Sequence, residues 1–93
     1  MVESSEDCRI DVWLWRARFV KTRGLAARLV EEGVVRLTRN NQQSRLDKPS
    51  RSVRPGDVLT MVLHERVVVL RIEALGDRRG PAEEARGLYS LIA

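Results

Sequence analysis

Arg9-Ile10-Asp11-Val12-Trp13-Leu14-Trp15-Arg16-Ala17-Arg18-Phe19-Val20-Lys21-Thr22-Arg23 carries two patterns at once. Ile10, Trp13, Leu14 and Ala17 fall at i, i+3, i+4 and i+7, which is one apolar stripe on a helix. Arg9, Arg16 and Arg18 lie off that stripe. Lys21-Thr22-Arg23 then breaks the periodicity, and Thr22 has the hydroxyl expected of an N-cap. Leu25, Ala26, Leu29 and Val30 restart the pattern as a second helix. Glu31 and Glu32 close it, and Gly33 is suited to the residue just past a helix end, where a positive φ is common. The run therefore predicts two short helices joined by a tight, basic turn.

Downstream the period changes. Val35 and Leu37 alternate with Arg36 and Thr38, which predicts a short strand. Residues 39–52 are almost entirely polar and read as a long loop, with room for a brief strand at Ser44–Leu46. Arg54-Pro55-Gly56-Asp57 reads as a β-turn with Pro and Gly at its centre. Val58–Leu63 and Arg66–Leu75 read as two strands around a turn at His64-Glu65. Gly76–Gly80 is a basic loop containing Arg78 and Arg79. Pro81, with Glu83 and Glu84 behind it, suits a helix start. Ala85, Leu88, Tyr89 and Ile92 then continue at helical spacing, so a helix is expected over 81–92. The fold class expected is α+β: two N-terminal helices on a small, mostly antiparallel sheet, plus a C-terminal helix.

A chain of 93 residues holds one domain and one modest core. Hydrophobic residues at 43 % and charged residues at 32 % are a globular mix, not a disordered one. The longest uncharged apolar runs, such as Val67–Leu70, are far too short to span a membrane. Residues 1–8 hold Glu3, Glu6 and Asp7 without an apolar core, so they are expected to form a disordered acidic lead-in rather than a secretory signal. The expected compartment is the cytoplasm. Cys8 is the single cysteine, which excludes an internal disulfide and any multi-cysteine metal site.

The net charge is +4, and its distribution is uneven. Residues 9–54 hold twelve Lys/Arg against four Asp/Glu, whereas residues 55–93 hold five against six. Most of the central cations are arginines, whose planar fork suits phosphate. A basic segment concentrated on a small domain points to a polyanionic partner.

The quoted run resembles the opening of the S4-type RNA-binding domain. Within that family it is similar to the small ribosome-associated heat-shock proteins and the short S4-domain factors of ribosome-associated quality control. The match continues through Ala26, Leu29, Val30, Gly33 and Val35, then Lys48-Pro49-Ser50, Pro55-Gly56-Asp57, and Arg78–Ala85 with Leu88-Tyr89. It covers about residues 9–92, and 9–93 is read as a single RNA-binding domain. The resemblance implies a basic face of two helices and a β-hairpin that binds structured RNA of the large ribosomal subunit. It implies a bacterial protein acting on stalled or dissociated subunits that carry nascent chain-tRNA. The family's strand–Asn-Gly–strand connection is not found, although Asn40-Asn41 stands nearby. The stretch from Gly33 to Lys48 reads as several residues longer than usual.

The candidate RNA-binding residues are Arg9, Arg16, Arg18, Lys21, Thr22, Arg23, Arg28, Lys48, Ser50 and Arg51. Lys21, Thr22 and Arg23 flank a helix N-terminus, where outward N–H groups add to side-chain charge. Lys48, Ser50 and Arg51 follow from the resemblance, as does the leading Arg9. Thr38, Arg39, Asn40 and Gln42 could reach sugar or base edges. Trp13 and Phe19 are expected in the core, while Trp15 lies off the stripe and could stack on a base. Asp11 suits orienting a neighbouring arginine or capping the first helix. His64 stands alone, so no metal is expected.

No Gly-rich phosphate loop, carboxylate pair or Ser-His-Asp set is visible, so no enzyme and no cofactor are expected. The expected partner is ribosomal RNA of the large subunit, with tRNA as a further contact. Neither a membrane nor a small-molecule substrate is expected, and the chain is expected to act as a monomer. The rival reading is a protein-recruitment adaptor or ribosome assembly factor using the C-terminal helix. DNA binding by the helix pair would call for dimeric symmetry, and no dimer surface is evident.

Overall fold

The computed structural model describes residues 7–92. Strand β1 (Cys8–Arg9) leads directly into helix α1 (Ile10–Arg16), and helix α2 follows at Arg23–Glu31. Ile10, Trp13 and Leu14 are fully buried and Ala17 nearly so, as their spacing requires. Ala26 and Val30 bury one face of α2, while Leu25 at its start stays 43 % exposed. Thr22 caps α2, its Oγ1 accepting from the Leu25 N–H at 3.0 Å. Gly33 ends it at φ +80°.

The sheet has five strands, all antiparallel, in the order β3-β2-β5-β6-β7. They are β2 (Val35–Arg39), β3 (Gln42–Leu46), β5 (Val58–Leu63), β6 (Arg66–Ile72) and β7 (Tyr89–Leu91). A separate short ladder joins β1 to β4 (Ser52–Val53). Alternation along the strands places Val35, Leu37, Leu46, Leu59, Met61, Leu70 and Ile72 in the core with Trp13 and Leu14. The opposite sheet face carries Thr60, Val62, Val67 and Val69, of which Val62 and Val67 are exposed. The Trp13 indole Nε1 donates to the Ala74 carbonyl at 2.9 Å, so the largest core ring also satisfies its one polar atom.

The expected α+β architecture is present, with three departures in detail. First, half of residues 39–52 is strand and not loop. Arg39 pairs with Gln42 across a tight turn, and β3 runs the full length of β2. Asn40 and Asn41 both have positive φ, +54° and +64°, the backbone of the primed turns that close two-residue hairpins. Asparagine tolerates that region better than most residues, so Asn40-Asn41 takes the place of Asn-Gly. The apparent extra length between Gly33 and Lys48 is this regular hairpin.

Second, no helix spans 81–92. Helix α3 covers Ala82–Ala85, a 3₁₀ turn covers Arg86–Leu88, and Tyr89–Leu91 pairs with β6. Gly87 weakens a helix by about 1 kcal/mol relative to alanine, and extending instead lets the last residues cover an open sheet edge. Third, the lead-in expected over 1–8 lies mostly outside the described residues. Its last residue, Cys8, is paired with Val53 and half-buried.

The turn at Arg54–Asp57 forms as read, with Gly56 at φ +95°. Asp57 is buried and accepts the Arg54 N–H at 2.8 Å. It also takes both arms of Arg39, Nε at 2.9 Å and Nη2 at 2.8 Å. This one carboxylate ties the outer end of the β2–β3 hairpin to the start of β5.

Candidate nucleic-acid interface

Two basic clusters are built around the helix pair. The first surrounds the start of α1. A helix leaves its first N–H groups without internal partners. Here the segment 48–51 supplies them: Ile10 N donates to the Arg51 carbonyl at 2.8 Å and Asp11 N to that of Pro49 at 3.3 Å. Arg51 N closes back on the Lys48 carbonyl at 3.0 Å. The loop is thereby clipped to α1, and Lys48, Ser50 and Arg51, all exposed, lie beside Arg9.

Arg9 is itself held. Its Nε and Nη2 donate to the two oxygens of Asp11 at 3.0 and 2.9 Å, with Asp11 buried and Arg9 half exposed. The hydrogen bonds it donates to Asp11, followed by the Asp11 charge, hold the Arg9 guanidinium pKa above its ordinary value. Asp11 thus orients an arginine and does not cap the helix. Burial raises the pKa of the nearby Cys8 thiol, against the pull of the Arg16 charge.

The second cluster lines an open groove of about 650 Å³ between the α1–α2 turn, the outer side of α2 and the 62–64 turn. Arg18, Lys21, Arg28 and Arg79 rim it against a single carboxylate, Glu32, and Phe19, Val20, Leu25 and Val62 form apolar wall. A groove with four cations and one anion attracts an anionic ligand.

The candidate residues therefore divide. Arg9, Lys48, Ser50 and Arg51 share the α1 end, while Arg18, Lys21 and Arg28 face the groove. Thr22 gives its hydroxyl to the helix cap. Arg16 and Arg18 do not stand free. Arg16 Nη1 donates to the Gly76 carbonyl at 2.8 Å, and Arg18 Nε donates to that of Gly80 at 2.6 Å. Arg39, weighed for sugar and base contacts, is committed to Asp57. The hydrogen bonds it donates to that carboxylate raise the Arg39 pKa.

Sequence reasoning did not single out Arg79. Its Nε donates to the Trp15 carbonyl at 3.1 Å and Nη2 to the Val20 carbonyl at 3.3 Å. Its guanidinium lies 5.9 Å from the Trp15 ring centre, within cation–π range. Trp15 is thus half covered by protein, in place of an open stacking platform. The sequence shows Arg79 as one of two adjacent arginines in a loop, and carbonyl partners leave no mark on composition. Among the described residues no three His, Cys, Asp or Glu side chains gather as metal ligands, and no helix is long and apolar enough to cross a membrane.

Comparison with known proteins bears on this geometry. Residues 8–59 match the S4 domain. The chain is 42 % identical over 89 residues to heat shock protein 15 of Escherichia coli K12, covering 94 % of this chain and 62 % of that protein. The chain thus spans less than two thirds of that curated relative. It is 32 % identical over 84 residues to the RQC P-site tRNA stabilizing factor of Bacillus subtilis, covering 90 % of this chain and 91 % of that protein. Heat shock protein 15 of Vibrio cholerae, solved as a trimer, superposes with a TM-score of 0.80 at 42 % identity, over 95 % of this chain and 84 % of that one.

Proposed function

The chain belongs to the S4 domain family, and from that premise we propose that it is an RNA-binding, ribosome-associated protein without catalytic chemistry. Its target is structured ribosomal RNA of the large subunit, in rescue or quality control of subunits that carry nascent chain-tRNA. The observation that carries this reading is the pair of basic clusters on one helix pair, anchored at the α1 start and in the groove. The names of the two kinds of relative, a heat-shock protein and a factor that stabilises P-site tRNA, support the setting.

The mechanism is electrostatic capture of shaped RNA. Arg9, Lys48, Ser50 and Arg51 contact phosphate at one end, Lys21 and Arg23 do so beside the α2 start, and Arg28 does so from the last turn of α2. The first-turn N–H groups of α2 add positive potential where a phosphate would sit. Arg16 and Arg18 serve as braces in this reading. A-form RNA hides its major-groove edges, so the spacing of phosphates supplies selectivity more than base reading does. One copy carries both clusters, so one copy serves one RNA site, and the site of action is the cytoplasm.

The adaptor reading relied on a helix over 81–92. Those residues form α3, a 3₁₀ turn and β7, and Leu88 and Tyr89 pack against the core, so the continuous helix it relied on is not there.

Sedimentation with purified bacterial large subunits across a salt series tests the reading. The wild-type chain should co-sediment at low salt and dissociate as salt rises, because bound phosphates release counterions. Lys21→Glu with Arg23→Glu should lower affinity about a hundredfold or more, by removing two contacts and adding repulsion. Unchanged binding by that double variant would refute the assigned face.

A further inference from the structure

The α1–α2 turn presents Lys21 and Thr22 and sets the start of α2, yet little of its own backbone holds it. Its first half is closed locally, by Ala17 N to the Trp13 carbonyl, Arg18 N to Trp15 and Phe19 N to Leu14, at 2.8, 3.1 and 3.0 Å. Arg18 stands in the left-handed region at φ +66°, a conformation that non-glycine residues hold only when their surroundings enforce it. The next carbonyl restrained is that of Val20, and its donor is Arg79.

The loop from Gly76 to Gly80 supplies this support from the far end of the sequence, and the support is reciprocal. Arg79 reaches from the loop to the Trp15 and Val20 carbonyls. Arg16 and Arg18 reach back to the Gly76 and Gly80 carbonyls. Three arginines thus make four hydrogen bonds to backbone oxygens on opposite sides of one seam.

The loop can act as an anchor because it is fixed to the core. Glu73 N and Ala74 N both donate to the Leu88 carbonyl, at 2.8 and 3.3 Å, and Trp13 holds the Ala74 carbonyl. Arg78 pairs with Glu84 at 2.7 Å across the loop's end. Gly80 is buried, and a Cβ there would collide with the Glu84 carboxylate.

We propose that Arg79 is a positioning residue for the RNA-binding turn. It holds Val20 and Trp15, and through them Lys21 and the Thr22 cap, in the geometry that meets phosphate, without itself being a phosphate ligand. The inference rests on the proposed RNA-binding function. A guanidinium is needed because the two hydrogen bonds diverge from one planar fork while its carbon lies 5.9 Å from the Trp15 ring centre. A lysine keeps the charge but supplies neither feature.

The test compares wild type, Arg79→Ala and Arg79→Lys for binding to purified large ribosomal subunits over a salt series, with amide exchange on the free proteins. Loss of preorganisation should weaken binding by Arg79→Ala about tenfold, and Arg79→Lys should not restore it. The slope of log affinity against log salt should match wild type in both, since no phosphate contact is lost. The Phe19 and Leu25 amides should exchange faster, while Leu59 and Leu70 amides in the sheet keep their rates. A slope shallower by about 0.7–0.9 in Arg79→Ala, with rescue by lysine, would make Arg79 a direct phosphate ligand and overturn the proposal. Unaltered exchange at Phe19 and Leu25 would also overturn it, whatever the RNA result. Failure of the wild-type chain to bind subunits at low salt would instead remove the functional reading, and the exchange data would still decide whether Arg79 orders the turn.

Discussion

The turn between the helices holds one left-handed residue, Arg18, whereas the two hairpin turns of the sheet hold two each, Asn40 with Asn41 and His64 with Glu65. The hairpin turns are closed by the ladders that flank them, Arg39 opposite Gln42 and Leu63 opposite Arg66. The helical turn has no ladder. Its outside restraints come from residues 62 and 64 positions away in sequence, Gly80 to Arg18 and Arg79 to Trp15. The difference separates two jobs. Sheet turns need only reverse the chain, so their neighbours suffice. In the proposed function the helical turn must present charge in a fixed geometry, and a short α1 of seven residues does not do that alone.

Three substitutions break or sharpen this contrast. Asp57→Ala should have the largest effect on stability. It strands the Arg39 guanidinium and the Arg54 N–H, and should cost about 2–3 kcal/mol given that Arg39 is partly exposed. Thermal unfolding should register a fall in Tm on the order of 10–20 °C. RNA affinity per folded molecule should not change, because the sheet's outer end carries no proposed contact. Thr22→Ala should cost about 1 kcal/mol of stability through the lost cap, and calorimetry together with subunit binding should show affinity falling with it. A Thr22→Ala protein that lost stability but kept affinity would dissolve the distinction between the two kinds of turn. Glu65→Gly should act in the opposite direction. Glycine accepts the left-handed backbone at +65°, so urea unfolding should show a gain of about 0.5–1 kcal/mol with RNA binding unaltered.

What could be read from the sequence follows the range of the interactions. The α1 stripe, the Thr22 cap, the Gly33 terminus and the Pro55-Gly56 turn each depend on residues within a few positions of one another, and each forms where the pattern puts it. β3 was hidden because it is an edge strand. Of Gln42, Gln43, Ser44, Arg45 and Leu46, only Leu46 is buried, so no alternation marks it. The last segment misled because Ala85, Leu88 and Tyr89 do face the core, but by way of a 3₁₀ turn and a strand instead of a helix. For the candidate site, charge and spacing pointed to the helix pair but could not distinguish arginines that face solvent from those bonded to carbonyls. Arg16 and Arg79 bind backbone oxygens, and any residue supplies a backbone oxygen.

The seam between the 76–80 loop and the helices also sets an order in time. Synthesis delivers the N-terminal end first. A growing chain that has released both helices, the β2–β3 hairpin and the segment through Arg51 already carries every cation assigned to RNA, but not Arg79. The turn acquires its outside restraints only when the last fifth of the sequence folds back across the helices, a long-range closure that belongs to the late stage of folding. On the proposed role of Arg79, a chain still being translated exposes the charges of a binding protein before it has the shape of one, and its affinity rises once residues 76–80 have joined the helices.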